Sequence, residues 1–132
     1  MSEKLCTLRT RGGGKEGGSD YAVINSTVGA GPYPSSRTYT NNSNVYTVSA
    51  DGNTTSSTVT VLEEGLYMYT AIAQVRGTGT ASVSIGSQTI ATSPSSSKVS
   101  GEMYISANTV CTASCGNVSA TSSAMLVLLK KS

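Results

Sequence analysis

The chain has 132 residues, a formal net charge of +2 and no histidine. This length fits a single domain. Without histidine the chain lacks the side chain best suited to acid–base catalysis near neutral pH, along with the usual Ser–His and Cys–His nucleophile pairs and most metal sites. The composition argues against an enzyme, and we expect no cofactor and no metal.

The first twenty residues differ in composition from the rest of the chain. Leu5 to Leu8 predicts a short strand, and the five glycines within residues 12–18 predict a flexible arm. Its four cations are accompanied by three carboxylates, and no aromatic side chain lies among them to stack on a base. We therefore expect residues 1–20 to dock on an acidic protein surface and not on a nucleic acid, through Leu5, Leu8, Arg9, Arg11 and Lys15.

Residues 21–62 predict short strands separated by polar turns. The predicted strands are 21–28, 36–40, 45–50 and 58–62. Asp51-Gly52-Asn53 is a strong turn signal, and Thr58 to Leu62 alternates polar and apolar residues with the period of a strand.

Residues 63–132 continue the same pattern. Leu66 to Val75 is the least polar stretch and predicts a central strand, and shorter strands are expected over 81–85, 88–91, 99–106, 109–114 and 123–130. Strands at this spacing with no helical period indicate a β-sandwich or barrel. We predict an all-β fold, an antiparallel sandwich over residues 21–132 with an extended glycine-rich N-terminal arm over residues 1–20.

The core of such a domain must be thin. The chain has no tryptophan and no phenylalanine, and its only aromatic residues are seven tyrosines. Little large apolar area is available to offset chain entropy, so burial against further copies or a larger partner is expected. Both Leu66 to Val75 and Ala124 to Leu129 are apolar at successive positions, which predicts adjacent strands with a subunit interface at Tyr67, Tyr69, Leu126 and Leu128.

The cysteines and carboxylates show no pattern of a reactive site. Cys6, Cys111 and Cys115 make an odd count with no apolar leader in residues 1–30, which predicts free thiols and synthesis in a reducing cytoplasm. Glu63 and Glu64 are adjacent, so on a strand they would face opposite sides, and a solvated turn is favoured over a catalytic pair. The longest apolar run, Ala124 to Leu129, is too short to span a membrane.

The order of segments in residues 58–130 carries a family resemblance. A strand leads into Gly65-Leu66-Tyr67 and a long apolar strand, a hairpin ends in Val83 to Gly86, and Ser106-Ala107-Asn108-Thr109-Val110 precedes a last apolar strand. This order resembles the C1q/tumour-necrosis-factor type of jelly roll, as found in bacteriophage capsid decoration (cement) proteins and fibre tips. The turn before Val110 departs from that pattern, because it lacks the family's glycine.

The resemblance implies a structural protein of the virion. The expected function is decoration of the outer capsid surface, with the major capsid protein as partner and self-association as a homotrimer, or else a dimer. The expected location is the virion, after synthesis in the host cytoplasm. The alternative is a head-fibre or tail-fibre tip that binds a host receptor, although no heptad stalk precedes the predicted sandwich.

Overall fold

Two five-stranded antiparallel β-sheets pack face to face in the computed structural model of the chain. The structure describes residues 20–28, 34–49, 51–52, 54–76, 79–93, 97–116 and 121–131. The predicted strand Leu5 to Leu8 and the arm cations Arg9, Arg11 and Lys15 lie outside the described residues.

The described residues form ten strands: β1 (Tyr21–Val28), β2 (Ser35–Thr40), β3 (Tyr46–Val48), β4 (Ser56–Val61), β5 (Gly65–Arg76), β6 (Thr80–Ile85), β7 (Gln88–Ser93), β8 (Ser97–Ile105), β9 (Thr109–Gly116) and β10 (Thr121–Lys130). Sheet 1 has the strand order β2-β1-β10-β5-β8, and sheet 2 has the order β3-β4-β9-β6-β7. Most neighbouring strands are far apart along the chain, so the chain crosses repeatedly between the sheets. The predicted jelly-roll sandwich is confirmed.

Alternation of burial along each strand places the core between the sheets. In β1 every second side chain is buried, from Ala22 to Val28, and β10 follows the same rule from Ser122 to Leu128. Ser26 is the polar member of the buried set on β1: its Oγ donates to the Thr55 carbonyl at 2.6 Å, and its own carbonyl accepts from Cys115 Sγ at 3.2 Å. This residue therefore links sheet 1 to the facing sheet through satisfied polar groups.

One predicted strand is shorter than the sequence indicated. The stretch from Val45 to Ala50 was expected to be extended; Ala50 lies outside the described residues, and among the others β3 covers Tyr46–Val48. The Asn42 side chain accepts from the Asn44 amide at 2.9 Å and the Asn42 carbonyl accepts from the Val45 amide at 3.1 Å. These local bonds hold Val45 in the turn, since asparagine offers the backbone an alternative to strand pairing.

The turn between β8 and β9 contains no glycine and is formed around Asn108. Asn108 has a φ of 70°, the only positive φ of a non-glycine residue among those the structure describes. Its amide donates to the Val61 carbonyl at 2.6 Å, which anchors the turn beside β4. Asparagine tolerates this left-handed conformation better than most residues, so the turn forms although it contains no glycine.

Replacing Asn108 tests this interpretation of the turn. Asn108→Ala should lower the free energy of unfolding by about 1 kcal/mol, because alanine has no local compensation for the left-handed conformation. Asn108→Gly should change the free energy of unfolding by only about a few tenths of a kcal/mol, since glycine adopts the left-handed conformation freely. Urea denaturation of the two variants makes the comparison, and equal stability of the two would contradict the strain argument.

Candidate interaction surface

Strands β5 and β10 occupy the middle of sheet 1. They pair antiparallel from Thr121 opposite Arg76 to Lys130 opposite Tyr67. The prediction that the two most apolar segments lie side by side in the sheet is confirmed. Any surface they present is therefore in the centre of the sheet, flanked by β1 on one side and β8 on the other.

The four residues predicted to face another subunit point into the sandwich. Tyr67, Leu126 and Leu128 are fully buried in the core, and Tyr69 is half-buried against it. The Tyr67 hydroxyl donates to the Glu63 carbonyl at 2.6 Å. The predicted interface residues are therefore wrong by one position: the apolar side chains on the outer side of β5 and β10 are those of the alternate residues, among them Met68, Val127 and Leu129.

Most side chains in the middle of the outer side of sheet 1 are apolar, with Asn25 on β1 and Thr70 on β5 as polar exceptions. Register places Leu129 between Tyr21 and Met68, and Val127 between Val23 and Thr70, so the set runs across three strands. Met68 is 42% exposed although it lies on a central strand. We call the following residues the apolar face: Tyr21, Val23, Tyr39, Leu66, Met68, Ile72, Tyr104, Met125, Val127 and Leu129.

The outer side of sheet 2 has a different composition. Its side chains are mainly hydroxyls, with Val110 as an exposed exception. Ser82 and Ser114 lie on adjacent strands with their hydroxyl oxygens 3.4 Å apart. We call the following residues the hydroxyl face: Thr47, Thr58, Thr60, Ser82, Ser84, Thr112 and Ser114.

Charged residues and a depression border the apolar face on the side of β8. Lys98 is opposite Ile72 and Glu102 is opposite Met68, and the Glu102 carboxylate pairs with Lys131 Nζ at 2.7 Å. A depression of about 480 Å³ between β8 and the centre of the sheet is lined by Met68, Val127 and Leu129 together with Glu102. The face thus has an apolar centre and a rim that carries both signs of charge.

The aromatic edge of the apolar face is formed by two tyrosines. The rings of Tyr21 and Tyr39 lie on adjacent strands with their centroids 5.7 Å apart. A hydrogen bond with Tyr39 raises the pKa of Tyr21. Tyr39 is 57% exposed, so this edge offers aromatic area to a partner.

The carboxylates of the described residues form structural contacts. Glu63 and Glu64 are exposed in the turn between β4 and β5, where Glu63 lies 4.0 Å from Lys130 and Glu64 accepts from the Tyr104 hydroxyl. No three metal-ligating side chains come together within the described parts of the chain. None of those parts forms a helix able to cross a membrane.

Two of the three predicted free thiols are free and buried in β9. Cys111 and Cys115 form no disulfide, and Cys6 is outside the described residues. Burial raises the pKa of Cys111 to about 12, while a backbone hydrogen bond from Gly86 partly opposes the rise. A thiol that stays protonated at neutral pH is a poor nucleophile and a poor metal ligand.

Comparison with known proteins supports the fold alone. No family model matches the sequence, and no curated protein matches it. Among solved structures, the chain is similar to pika GITRL with a TM-score of 0.51 at 10% identity, covering 82% of this chain and 95% of that one. Rabbit GITRL gives the same TM-score at 12% identity, covering 82% and 94%. The chain therefore has a jelly-roll fold similar to that of these two structures.

The buried thiol gives a pH-dependent prediction. Folding raises the pKa of Cys111 to about 12, because the buried thiol is stable only in its neutral form. The contribution of this neutral thiol to the free energy of unfolding is fully present below the unfolded-state pKa of about 8.5 and is lost as pH rises toward 12. At pH 8 the thiolate fraction should be about a thousandfold smaller in the folded chain than in the unfolded one. Iodoacetamide labelling followed by peptide mass spectrometry measures this, and equal labelling of Cys111 with and without urea would contradict it.

Proposed function

We propose that this chain is a non-catalytic structural protein of the virion, which assembles as a homotrimer and decorates the outer surface of a bacteriophage capsid. The observation that carries the proposal is the contrast between the apolar face and the hydroxyl face. Antiparallel sheets that face water usually present polar side chains outward. The hydroxyl face follows this rule and the apolar face departs from it. We therefore infer that another molecule covers the apolar face when the protein is assembled.

The size of the apolar face fits the centre of a subunit interface. Three rows of side chains on four strands span about 400 Å² at ordinary strand spacings. A patch of that size is comparable to the largest one on a typical monomer, which is often functional. A standard interface buries about 800 Å² on each partner, with an apolar core and a polar rim. The apolar face would supply that core, and Lys98 and Glu102 would belong to the rim.

A second copy of the chain is the occupant that the rim favours. Lys98 and Glu102 give the rim charges of both signs, and a neighbouring copy of the chain carries charges of both signs that can meet them. Strand β8 is also the edge of sheet 1, and open edges are commonly protected by covering them. A ring of three copies uses two different patches per subunit, so the apolar face of one copy can cover the β8 edge of the next.

The capsid is proposed as the larger partner on the basis of the arm and the family resemblance. The sandwich begins at Asp20, whose carbonyl accepts from the Tyr46 hydroxyl at 2.8 Å and from the Lys130 amide at 2.9 Å. The nineteen residues before it carry the cations Arg9, Arg11 and Lys15, which can form charge-assisted hydrogen bonds with capsid carboxylates. Leu5 to Leu8 can add a strand to a sheet of the capsid protein.

A charge placed on the apolar face tests the assembly. Val127→Glu should convert the oligomer to a monomer, because an unpaired carboxylate buried in an interface costs several kcal/mol. Thr112→Glu, on the hydroxyl face, is the matched control and should leave the sedimentation coefficient unchanged. A wild-type chain that sediments as a monomer at tens of micromolar, or a Val127→Glu variant with wild-type mass, would contradict the assembly.

Removing the arm tests the capsid partner. Deletion of residues 1–19 leaves Asp20 and its hydrogen bonds in place, so the truncated chain should fold and assemble but fail to bind capsids stripped of the protein. The triple variant Arg9→Ala/Arg11→Ala/Lys15→Ala should bind more weakly, with a flatter dependence on salt because fewer charge pairs are screened. Unchanged capsid binding by the truncated chain would contradict the proposal that the arm binds the capsid. Binding of the full chain to host cells and not to capsids would favour the fibre-tip alternative.

A further inference from the structure

Two pairs of tyrosine rings are in contact among the described residues, and the pairs differ in exposure. Tyr21 and Tyr39 have centroids 5.7 Å apart and ring planes inclined at 37°, on the outer side of sheet 1. Tyr39 is 57% exposed and Tyr21 is half-buried. Tyr46 and Tyr67 have nearly the same separation, 6.0 Å, but both lie in the core. Small reagents in solvent therefore reach the first pair and not the second.

The rings of the exposed pair converge at their hydroxyl groups. Tyr39 lies opposite Val23 on the neighbouring strand, so Tyr21 is its diagonal neighbour, at a distance that aromatic side chains can bridge. A hydrogen bond with Tyr39 raises the pKa of Tyr21, which places the two hydroxyl groups side by side. The ring carbons that flank these hydroxyls are therefore near one another.

The carbons next to the hydroxyl are the positions at which oxidised phenols join. A one-electron oxidant removes one electron and the hydroxyl proton from each phenol, and the resulting phenoxyl radical shares its unpaired electron with the ortho carbons. Two such radicals form a carbon–carbon bond, and the two displaced ring hydrogens move to the oxygens and restore both phenols. With hydrogen peroxide as the oxidant and a haem peroxidase as its catalyst, the two hydrogens lost reduce one peroxide to two waters.

Other described tyrosines lack either the exposure or the neighbouring ring. Tyr46 and Tyr67 meet edge to face at 67°, and their hydroxyls donate to backbone carbonyls and not to each other. Tyr104 is exposed, but its hydroxyl donates to Glu64, and no ring pair among the described residues includes it. The geometry for coupling within one chain is thus confined to the exposed pair.

A bond between these rings would fasten the edge strand of sheet 1. Strand β2 is paired with β1 on one side only, and on its outer side the described residues form a single β-bridge, from Ser36 to Gly52. No disulfide supports this edge, because Cys111 and Cys115 are free and buried in β9. The bond would close residues 21–39 into a covalent loop, which lowers the entropy of the unfolded chain.

We propose that Tyr21 and Tyr39 form an oxidative cross-linking site, at which hydrogen peroxide and a haem peroxidase join the two rings through an ortho carbon–carbon bond within one chain. The bond requires no neighbouring copy and no capsid, so the site is independent of the proposed function. Both rings stay on the outer side of sheet 1 after coupling. The product is a sandwich whose edge strand is held covalently without the use of cysteine.

Treatment of the full chain with peroxidase and hydrogen peroxide tests the site. The protein is kept dilute, so that coupling between chains is slow. The single chain should lose the mass of two hydrogen atoms and gain the fluorescence of dityrosine, and tandem mass spectrometry should place the bond between Tyr21 and Tyr39. A chain that loses no hydrogen, or a bond that forms only between two chains, would overturn the proposal. An equal yield of a bond between Tyr46 and Tyr67 would overturn the role given to exposure.

Phenylalanine variants identify the coupled rings while keeping their apolar area. Tyr39→Phe should lower the yield of the cross-link at least about tenfold, because it removes the partner held in place for coupling. Tyr104→Phe, which alters an exposed tyrosine without a neighbouring ring, is the matched control and should keep the wild-type yield. Treated wild-type chain should melt at a higher temperature than untreated chain, and treated Tyr39→Phe should show no such rise. A wild-type yield in Tyr39→Phe, or an unchanged melting temperature after complete coupling, would overturn the proposal.

Discussion

An edge-to-face contact between two buried tyrosines is the interaction on which this sandwich most depends. The rings of Tyr46, on sheet 2, and Tyr67, on sheet 1, have centroids 6.0 Å apart and are the largest side chains in the core. Each hydroxyl finds a backbone acceptor at the same end of the sandwich, on Asp20 and Glu63. Burial raises the pKa of Tyr46 strongly and that of Tyr67 to about 12, so both remain neutral donors at physiological pH. The pair joins the two sheets in a chain that has no phenylalanine or tryptophan to do so.

The rest of the core is made of small side chains, and this has a consequence for the outside. Alanine, valine and cysteine fill many of the inward positions, including Ala71 and Ala73 on the central strand β5. Larger apolar residues on the same strand, such as Met68 and Ile72, point outward. A chain that leaves its larger side chains on the outer side of one sheet gains further hydrophobic stabilisation when that side is covered. The hydroxyl face has no such residues apart from Val110, so only one side of the sandwich has this property.

Strand positions could be predicted from the sequence, but the direction of the side chains on the central strands could not. Alternation is visible in Thr58 to Val61, where threonine and valine take turns, and the strand predicted there overlaps β4. In Leu66 to Tyr69 and in Met125 to Leu129 every residue is apolar or aromatic, so a one-residue shift exchanges the inner and outer sets without changing the pattern. This is why Tyr67, Tyr69, Leu126 and Leu128 were assigned to the interface in place of their neighbours.

Oxidation of Met68 tests most directly whether the apolar face is covered. Its side chain lies in the middle of that face and is 42% exposed in the single chain. The account predicts that peroxide oxidises Met68 slowly at concentrations where sedimentation shows an oligomer, and faster when dilution releases the monomer. Peptide mass spectrometry follows the reaction, with Met103 on the inner side of β8 as an internal reference. Oxidation of Met68 at the same rate at every protein concentration, together with a constant monomer mass, would contradict the account.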